Sequence, residues 1–211
     1  MLLIKKFFLG FLKYFILPIF LVYISLTGCI TTKRYKLPKQ SEIISKKEKE
    51  NIFEILSSQE VKRKDIAFVL IYYLRDFLPF FEPVSKGRPV NDNISDITGL
   101  KEEEYIKKAV NMGWMRIMPD GKFYPYDKVK RFQFAIILYR VFGSLVFLQN
   151  SGQENVDIKD VHPSDYIYNP VFFVVSHKLL PLVNGYFYRN KTVTGYEVCL
   201  ALSKLRKMLK K

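Results

Sequence analysis

Among 211 residues there are only two cysteines, Cys29 and Cys199, two histidines, His162 and His177, and one tryptophan, Trp114. Two cysteines cannot build a disulfide framework, so the chain must fold on a hydrophobic core of its own, and Cys199 reads as a small buried apolar residue. The two histidines lack metal-ligand spacing and leave little for a metal centre or a catalytic triad. No glycine-rich phosphate loop is present. Glu102-Glu103-Glu104 reads as the acidic first turn of a helix, favoured by the helix dipole, rather than as carboxylates for acid-base work. The expectation is a protein that is not an enzyme and has no cofactor and no metal. Acidic residues are also scarce, 20 against 34 Lys and Arg, for a formal charge of +14. Such a balance suggests an anionic partner, although a solvated cationic surface accounts for it as well.

Long hydrophobic runs are nearly absent too. The one continuous run, residues 14–25, has twelve residues, within the roughly 7–15 of a signal-peptide core and short of the roughly 20 of a spanning helix. Lys5, Lys6 and Lys13 precede it, and Leu26-Thr27-Gly28-Cys29 follows it. An aliphatic residue, two small residues and a cysteine in that place resemble the lipobox of bacterial lipoproteins. The resemblance implies a signal peptide over 1–28 and fatty acyl chains, palmitate among them, on Cys29. Two or more such chains anchor stably where one does not. An uncleaved membrane helix over 7–25, with Lys13 snorkelled, is the alternative reading. Removing 28 residues leaves 183, and removing the three lysines lowers the charge to +11. For an exported chain, no nucleic acid is expected, and envelope anions become the counterparts. The stretch 30–40 is polar, basic and interrupted by Pro38, so 29–50 reads as a lipidated cysteine and basic tether. A helical pattern begins at Ser41 with Glu42 as start signals.

Internal repetition organises the remainder. Ser95-Asp96-Ile97 and Lys159-Asp160-Val161 correspond at a shift of 64 residues. The same shift brings Val110 onto Val174, Gly121 onto Gly185, Phe123 onto Phe187, Tyr124 onto Tyr188, Val129 onto Val193 and Leu138 onto Leu202 without a gap. Each copy runs from an Asp-aliphatic lead through a helix (101–112 in the better copy) and a Gly-aromatic turn to a second helix (131–142). In the turn Pro119-Asp120-Gly121-Lys122-Phe123-Tyr124-Pro125, Pro119 sets φ, Asp120 tolerates turn geometry and Gly121 supplies a positive φ. Tyr124, preceding Pro125, is expected to be extended. The second helix has an earlier relative at 61–67. Across the three copies Ile66, Phe134 and Val198 align, then Val69, Ile137 and Ala201, then Leu70, Leu138 and Leu202, then Tyr73, Val141 and Leu205. That i, i+3, i+4, i+7 spacing predicts three buried stripes. Small Ala67, Ala135 and Cys199 share one level, as three converging helices require.

An Asp-aliphatic lead, a helix ending near Gly, a Pro-Asp-Gly-x-Phe-x-Pro turn and an aliphatic-x-Arg-x-acidic/amide-apolar-Ala helix start resemble the S-layer homology family. The match is best over 94–142, weaker over 158–206, and a half repeat over 61–78. The resemblance implies a mainly α fold, with helix-turn-helix repeats around a pseudo-threefold three-helix bundle. Its domains are a degenerate first repeat at 51–93, a second at 94–157 and a third at 158–211. It also implies grooves that hold an acidic cell-wall polysaccharide or peptidoglycan-linked polymer, with Arg63 and Arg131 facing an anionic sugar substituent such as a pyruvate ketal and Lys130, Asp120 and Gly121 beside them. The family's Thr-Arg-Ala-Glu signature is altered here. Lys62 and Lys130 replace Thr, Lys64 and Phe132 replace Ala, Gly195 replaces the third Arg, and Asn184 replaces the turn Asp. The family's Trp-Ala in the first helix is absent. Together these features point to an envelope lipoprotein, on the outer membrane or the periplasmic face of a membrane, tethering that membrane to a wall polymer. The alternative is a scaffold lipoprotein binding an envelope protein.

Overall fold

A computed structural model describes residues 46–81, 94–144 and 156–210. The expected signal peptide, Cys29 and most of the expected tether lie outside the described residues. Among the described residues there are six α-helices: α1 (Lys46–Ser57), α2 (Arg63–Leu74), α3 (Glu103–Asn111), α4 (Arg131–Gly143), α5 (Tyr168–Ser176) and α6 (Gly195–Leu209). A 3-10 turn, Arg75–Phe80, follows α2. Among the described residues there is no named strand, and no helix is long and apolar enough to cross a membrane. The fold is mainly α. The helix α1 crosses the boundary expected at residue 50.

The predicted stripes are the core. Ile66, Val69, Leu70, Phe134, Ile137, Leu138, Val141, Val198, Ala201, Leu202 and Leu205 are all buried, as are Ala67, Ala135 and Cys199. Tyr73 alone is half-buried, with its hydroxyl held by Cys199 and Ser203. Burial, then Cys199, pushes the Tyr73 phenol up to about 12, and burial raises the Cys199 thiol. The helix α2 is apolar nearly all round and buries Ile66 to Ile71 and Leu74, as a central helix must.

The shorter helices take the same kind of seat three times. The helix α3 packs on α2, α5 packs on α4, and α1, from the beginning of the chain, packs on α6 at its end. The degenerate first helix thus occupies the place that α3 and α5 occupy in the better copies. Just before α2, α4 and α6, three buried valines close a ring of backbone hydrogen bonds. Val129 N donates to Val61 O (2.9 Å), Val193 N to Val129 O (2.9 Å) and Val61 N to Val193 O (3.2 Å).

Two details depart from the gapless repeat. Leu179 and Leu180 amides donate to Val174 O just as Trp114 and Met115 amides donate to Ala109 O, so Val174 matches Ala109 and not Val110. The first helices are therefore related by a shift of 65 and the turns by 64. One residue is lost within the turn itself. In the second repeat Met118 N donates to Lys122 O across the three-residue loop Pro119-Asp120-Gly121, whereas Val183 and Tyr186 exchange both bonds across Asn184-Gly185. The latter residues have φ of 54° and 84°, as a two-residue primed hairpin turn requires. Gly121, at φ 80°, supplies the left-handed residue that closes the longer loop.

Tyr124 is not extended. It has φ 57° and Tyr188 has φ 54°, both left-handed and unusual for a tyrosine, despite the preference imposed by the proline after Tyr124. The cause is the aspartate of the lead. Asp96 accepts Phe123 N (2.9 Å) on one oxygen and Tyr124 N (2.6 Å) on the other, and Asp160 does the same for Phe187 (2.6 Å) and Tyr188 (2.8 Å). Two charge-assisted bonds outweigh a strain of order 1–3 kcal/mol.

The altered signature leaves α2 and α4 with half a capping box. Asp65 accepts Lys62 N (3.1 Å) and Gln133 accepts Lys130 N (2.8 Å), but an ammonium cannot accept in return. In α6 both halves exist, since Thr194 Oγ1 also accepts Glu197 N (3.2 Å). Lys130→Thr should therefore raise the unfolding free energy by roughly 1 kcal/mol, measured by urea denaturation. A lower stability would contradict this account of the cap.

Candidate functional site

Each long helix starts against the turn of the next repeat. The amides of Arg63 and Lys64 donate to Asp127 O and Pro125 O (both 2.9 Å), and those of Arg131 and Phe132 donate to Lys191 O (2.8 Å) and Arg189 O (3.2 Å). These are amides that a helix start cannot satisfy internally. The two signature arginines follow the same route. Arg63 Nε donates to Phe123 O (2.7 Å) and Nη2 to Arg116 O (2.7 Å), with the guanidinium 4.5 Å from the centre of the Phe123 ring. Arg131 Nε donates to Phe187 O (2.7 Å) and Nη2 to Pro181 O (2.8 Å), with the guanidinium 4.8 Å from the centre of the Phe187 ring. Its Nη1 pairs with the carboxylate of Glu197, the third residue of α6. Arg131 is only 3 % exposed, whereas Arg63 is half-buried.

Burial lowers both guanidinium pKa values. Asp127 and Asp96 oppose this at Arg63, and Glu197 and Asp160 oppose it at Arg131. Arginine nevertheless stays protonated throughout the working range. Each therefore brings a permanent cation into the joint between two repeats.

The third junction has no such cation. A Cβ on Gly195 would overlap the Ile55 carbonyl oxygen at the end of α1, and Gly195 N donates to Ser58 O (2.8 Å). The main chain of the last turn of α1, at Ile55 and Leu56, occupies the place where any side chain at 195 would begin. The substitution that looked like erosion of the signature is a close backbone approach that only glycine permits.

Around the first two junctions, cations and exposed tyrosines interleave. Lys62 and Lys64 lie 5.8 and 6.0 Å from the centre of the Tyr126 ring, which is 58 % exposed. Lys159 lies 5.3 Å from Tyr186, which packs on Tyr188 with centroids 5.8 Å apart. Behind Tyr126, Lys64 pairs with buried Glu102 (2.9 Å) and with Asp65 (3.3 Å). Burial works against the Lys64 charge, but these carboxylates outweigh it and raise the pKa.

The predicted residues fall at two junctions. Arg63 shares the first with the turn carrying Asp120 and Gly121, while Lys130 and Arg131 start the helix at the second. Asp120 is exposed. It accepts the Tyr124 hydroxyl (2.5 Å) and Lys122 N (3.2 Å), and these bonds hold its carboxyl below the ordinary range. Lys130 is exposed, and its ammonium has no partner among the described residues. Cys29 lies outside the described residues. Asp96, Asp160, Gln133 and Glu197 carry structural bonds that the sequence alone does not assign to them. The recurrence of Asp at the lead of each full copy was the signal for the first two. Among the described residues, no group of His, Cys, Asp or Glu is arranged to hold a metal.

Compared with known families, residues 93–135 match the S-layer homology domain. The match runs from the lead that contains Asp96, through the turn, into the first residues of α4. No curated protein matches the chain.

Two substitutions test this geometry. Asp96→Ala should cost about 3 kcal/mol in urea unfolding, because two amides lose a charged acceptor and Tyr124 loses what holds it left-handed. A cost below about 1 kcal/mol would show that the clamp does not matter. Gly195→Ala should cost roughly 3 kcal/mol or more, since backbone, not a movable side chain, stands in the way. A near-neutral effect would mean that α1 is not seated as described.

Proposed function

We propose that this chain is a non-enzymatic envelope lipoprotein, with Cys29 carrying the lipid after removal of residues 1–28. Its repeats, set around a pseudo-threefold axis, grip an acidic cell-wall polymer. The observation that carries the reading is the S-layer homology domain at 93–135, a binding domain that associates the chain with the cell envelope. The surface at the junctions supports it. Exposed Tyr126, Tyr186 and Tyr188 offer apolar faces for sugar rings, and lysines beside them suit anionic substituents. The net charge of +11 that remains once residues 1–28 and their three lysines are removed favours an anionic polymer over a neutral one.

A protein-binding scaffold is the second reading. Phe53, 70 % exposed, and Leu56, 39 % exposed, on α1 favour it. The two readings separate in one experiment. The full-length chain, kept in solution with detergent, should co-sediment with purified cell-wall sacculi at low salt and be released as salt rises. Tyr126→Ala should weaken the binding roughly fivefold to tenfold. Failure to sediment at low salt refutes the polymer reading. A stoichiometric cross-linked protein, with sacculi ignored, establishes the scaffold.

A further inference from the structure

The three outer helices, α1, α3 and α5, hold equivalent seats on the long helices, yet they turn different chemistry outward. The exposed residues of α3 are Glu104 and Lys108, and that of α5 is Asn169. Those of α1 include Phe53 and Leu56, two large side chains with no polar atom. At 3.6 residues per turn, exposed Lys49, Phe53 and Leu56 share a stripe about 60° wide, bordered by Ile52, which packs on the core. Glu50 and Glu54 lie beyond Phe53, away from Leu56. Tyr196, 64 % exposed, adds to the stripe from the start of α6. It follows Gly195, where a Cβ would stand 1.6 Å from the Ile55 carbonyl oxygen and 3.0 Å from the Leu56 carbonyl carbon. One exposed apolar residue is ordinary, but Phe53, Leu56 and Tyr196 together form a patch at the junction that lacks an arginine.

The chain ahead of α1 indicates what covers this patch. Sixteen residues, 30–45, separate Cys29 from Lys46, the first residue of α1. Even fully extended, they hold α1 within about 60 Å of Cys29. They contain Lys33, Arg34, Lys36 and Lys39 against one acid, Glu42, a balance drawn to anionic headgroups. A bilayer that anchors the chain so close is an intramolecular partner, so a small apolar patch suffices where a free protein would need a far larger interface. The twelve residues of α1 make a rod about 18 Å long, too short to cross a hydrocarbon core of about 30 Å. Such a helix lies in the interfacial plane with its apolar stripe down.

We infer that α1 lies on the membrane that anchors the N-terminus, with Phe53 and Leu56 inserted at the headgroup boundary, Lys49 among the headgroups and Tyr196 at the rim. This rests on the attachment proposed above only in that something ahead of α1 holds the chain to a bilayer. An uncleaved helix over 7–25 would do so as well as lipid on Cys29. The junction closed by Gly195 is thereby given to the membrane, and the tyrosines and lysines of the other two are left to the wall.

The test uses the full-length chain in vesicles of phosphatidylethanolamine and phosphatidylglycerol with brominated acyl chains. The indole introduced by Phe53→Trp should lose about half of its emission or more. The indole introduced by Tyr166→Trp, at a site 80 % exposed in the third repeat, should keep its emission. Native Trp114 is fully buried and gives a constant background. Both substitutions are on the surface, and circular dichroism checks the fold of each variant. No quenching at Phe53→Trp, or equal quenching at both positions, overturns the inference. So does a photoreactive group at position 53 that captures a second copy of the chain or an envelope protein while the emission stays unquenched. Mass spectrometry of the same preparation reports acyl chains on Cys29. If they are absent and Phe53→Trp is still quenched, the lipoprotein reading falls and the docking stands. If they are present and the emission is unquenched, the docking falls alone.

Discussion

The amides at the start of a helix have no acceptors within that helix, and in this protein the starts of the long helices draw on the neighbouring repeat for them. Arg63, Lys64, Arg131, Phe132 and Gly195 all donate their amides across a junction, and Val61, Val129 and Val193 complete the ring. The accepting carbonyls are presented only because the turns have the right shape. That shape depends on Asp96 and Asp160, each holding two successive amides, one of them on a left-handed tyrosine. Secondary structure and tertiary contact are thus one set of bonds. A helix here cannot form its first turn well without its neighbour in place.

That economy shapes the chemistry of the surface. The arginines that a wall-binding protein would turn toward an anion also join repeat to repeat, so structure and recognition compete for the same donors. At Arg131 structure engages all three nitrogens. At Arg63 part of the guanidinium remains available, and the adjoining Lys62, Lys64 and Tyr126 face solvent to different degrees.

Much of the fold was legible in the sequence because apolar spacing reports burial directly. The stripes from Ile66 to Leu205 and the small level of Ala67, Ala135 and Cys199 were readable from periodicity alone. Gly121 was readable because only one residue type adopts its φ cheaply. Other features escaped for definite reasons. Tyr124 follows a distant carboxylate rather than its own local preference, and nothing within a few residues of it says so. The one-residue slip between Ala109 and Val174 was hidden because a residue lost in the turn compensates for one gained before the helix. Gly195 looked like decay because its reason, the carbonyl of Ile55, lies 140 positions earlier. The site was the least legible part, since the partner that neutralises Arg131 is absent from its own repeat and comes from the next.

The closure of the valine ring bears on the order of events when the chain folds. Val61 takes its acceptor from Val193, 132 residues further on, and α1 has its seat on α6. The first repeat therefore cannot finish before the last has emerged. Contacts of such separation carry a large loop-closure cost and arrive late. A chain emerging N-terminus first would keep α1 and the edge of α2 unsatisfied until its C-terminal helix is delivered, and truncation anywhere in α6 would be felt first at residues 55–61.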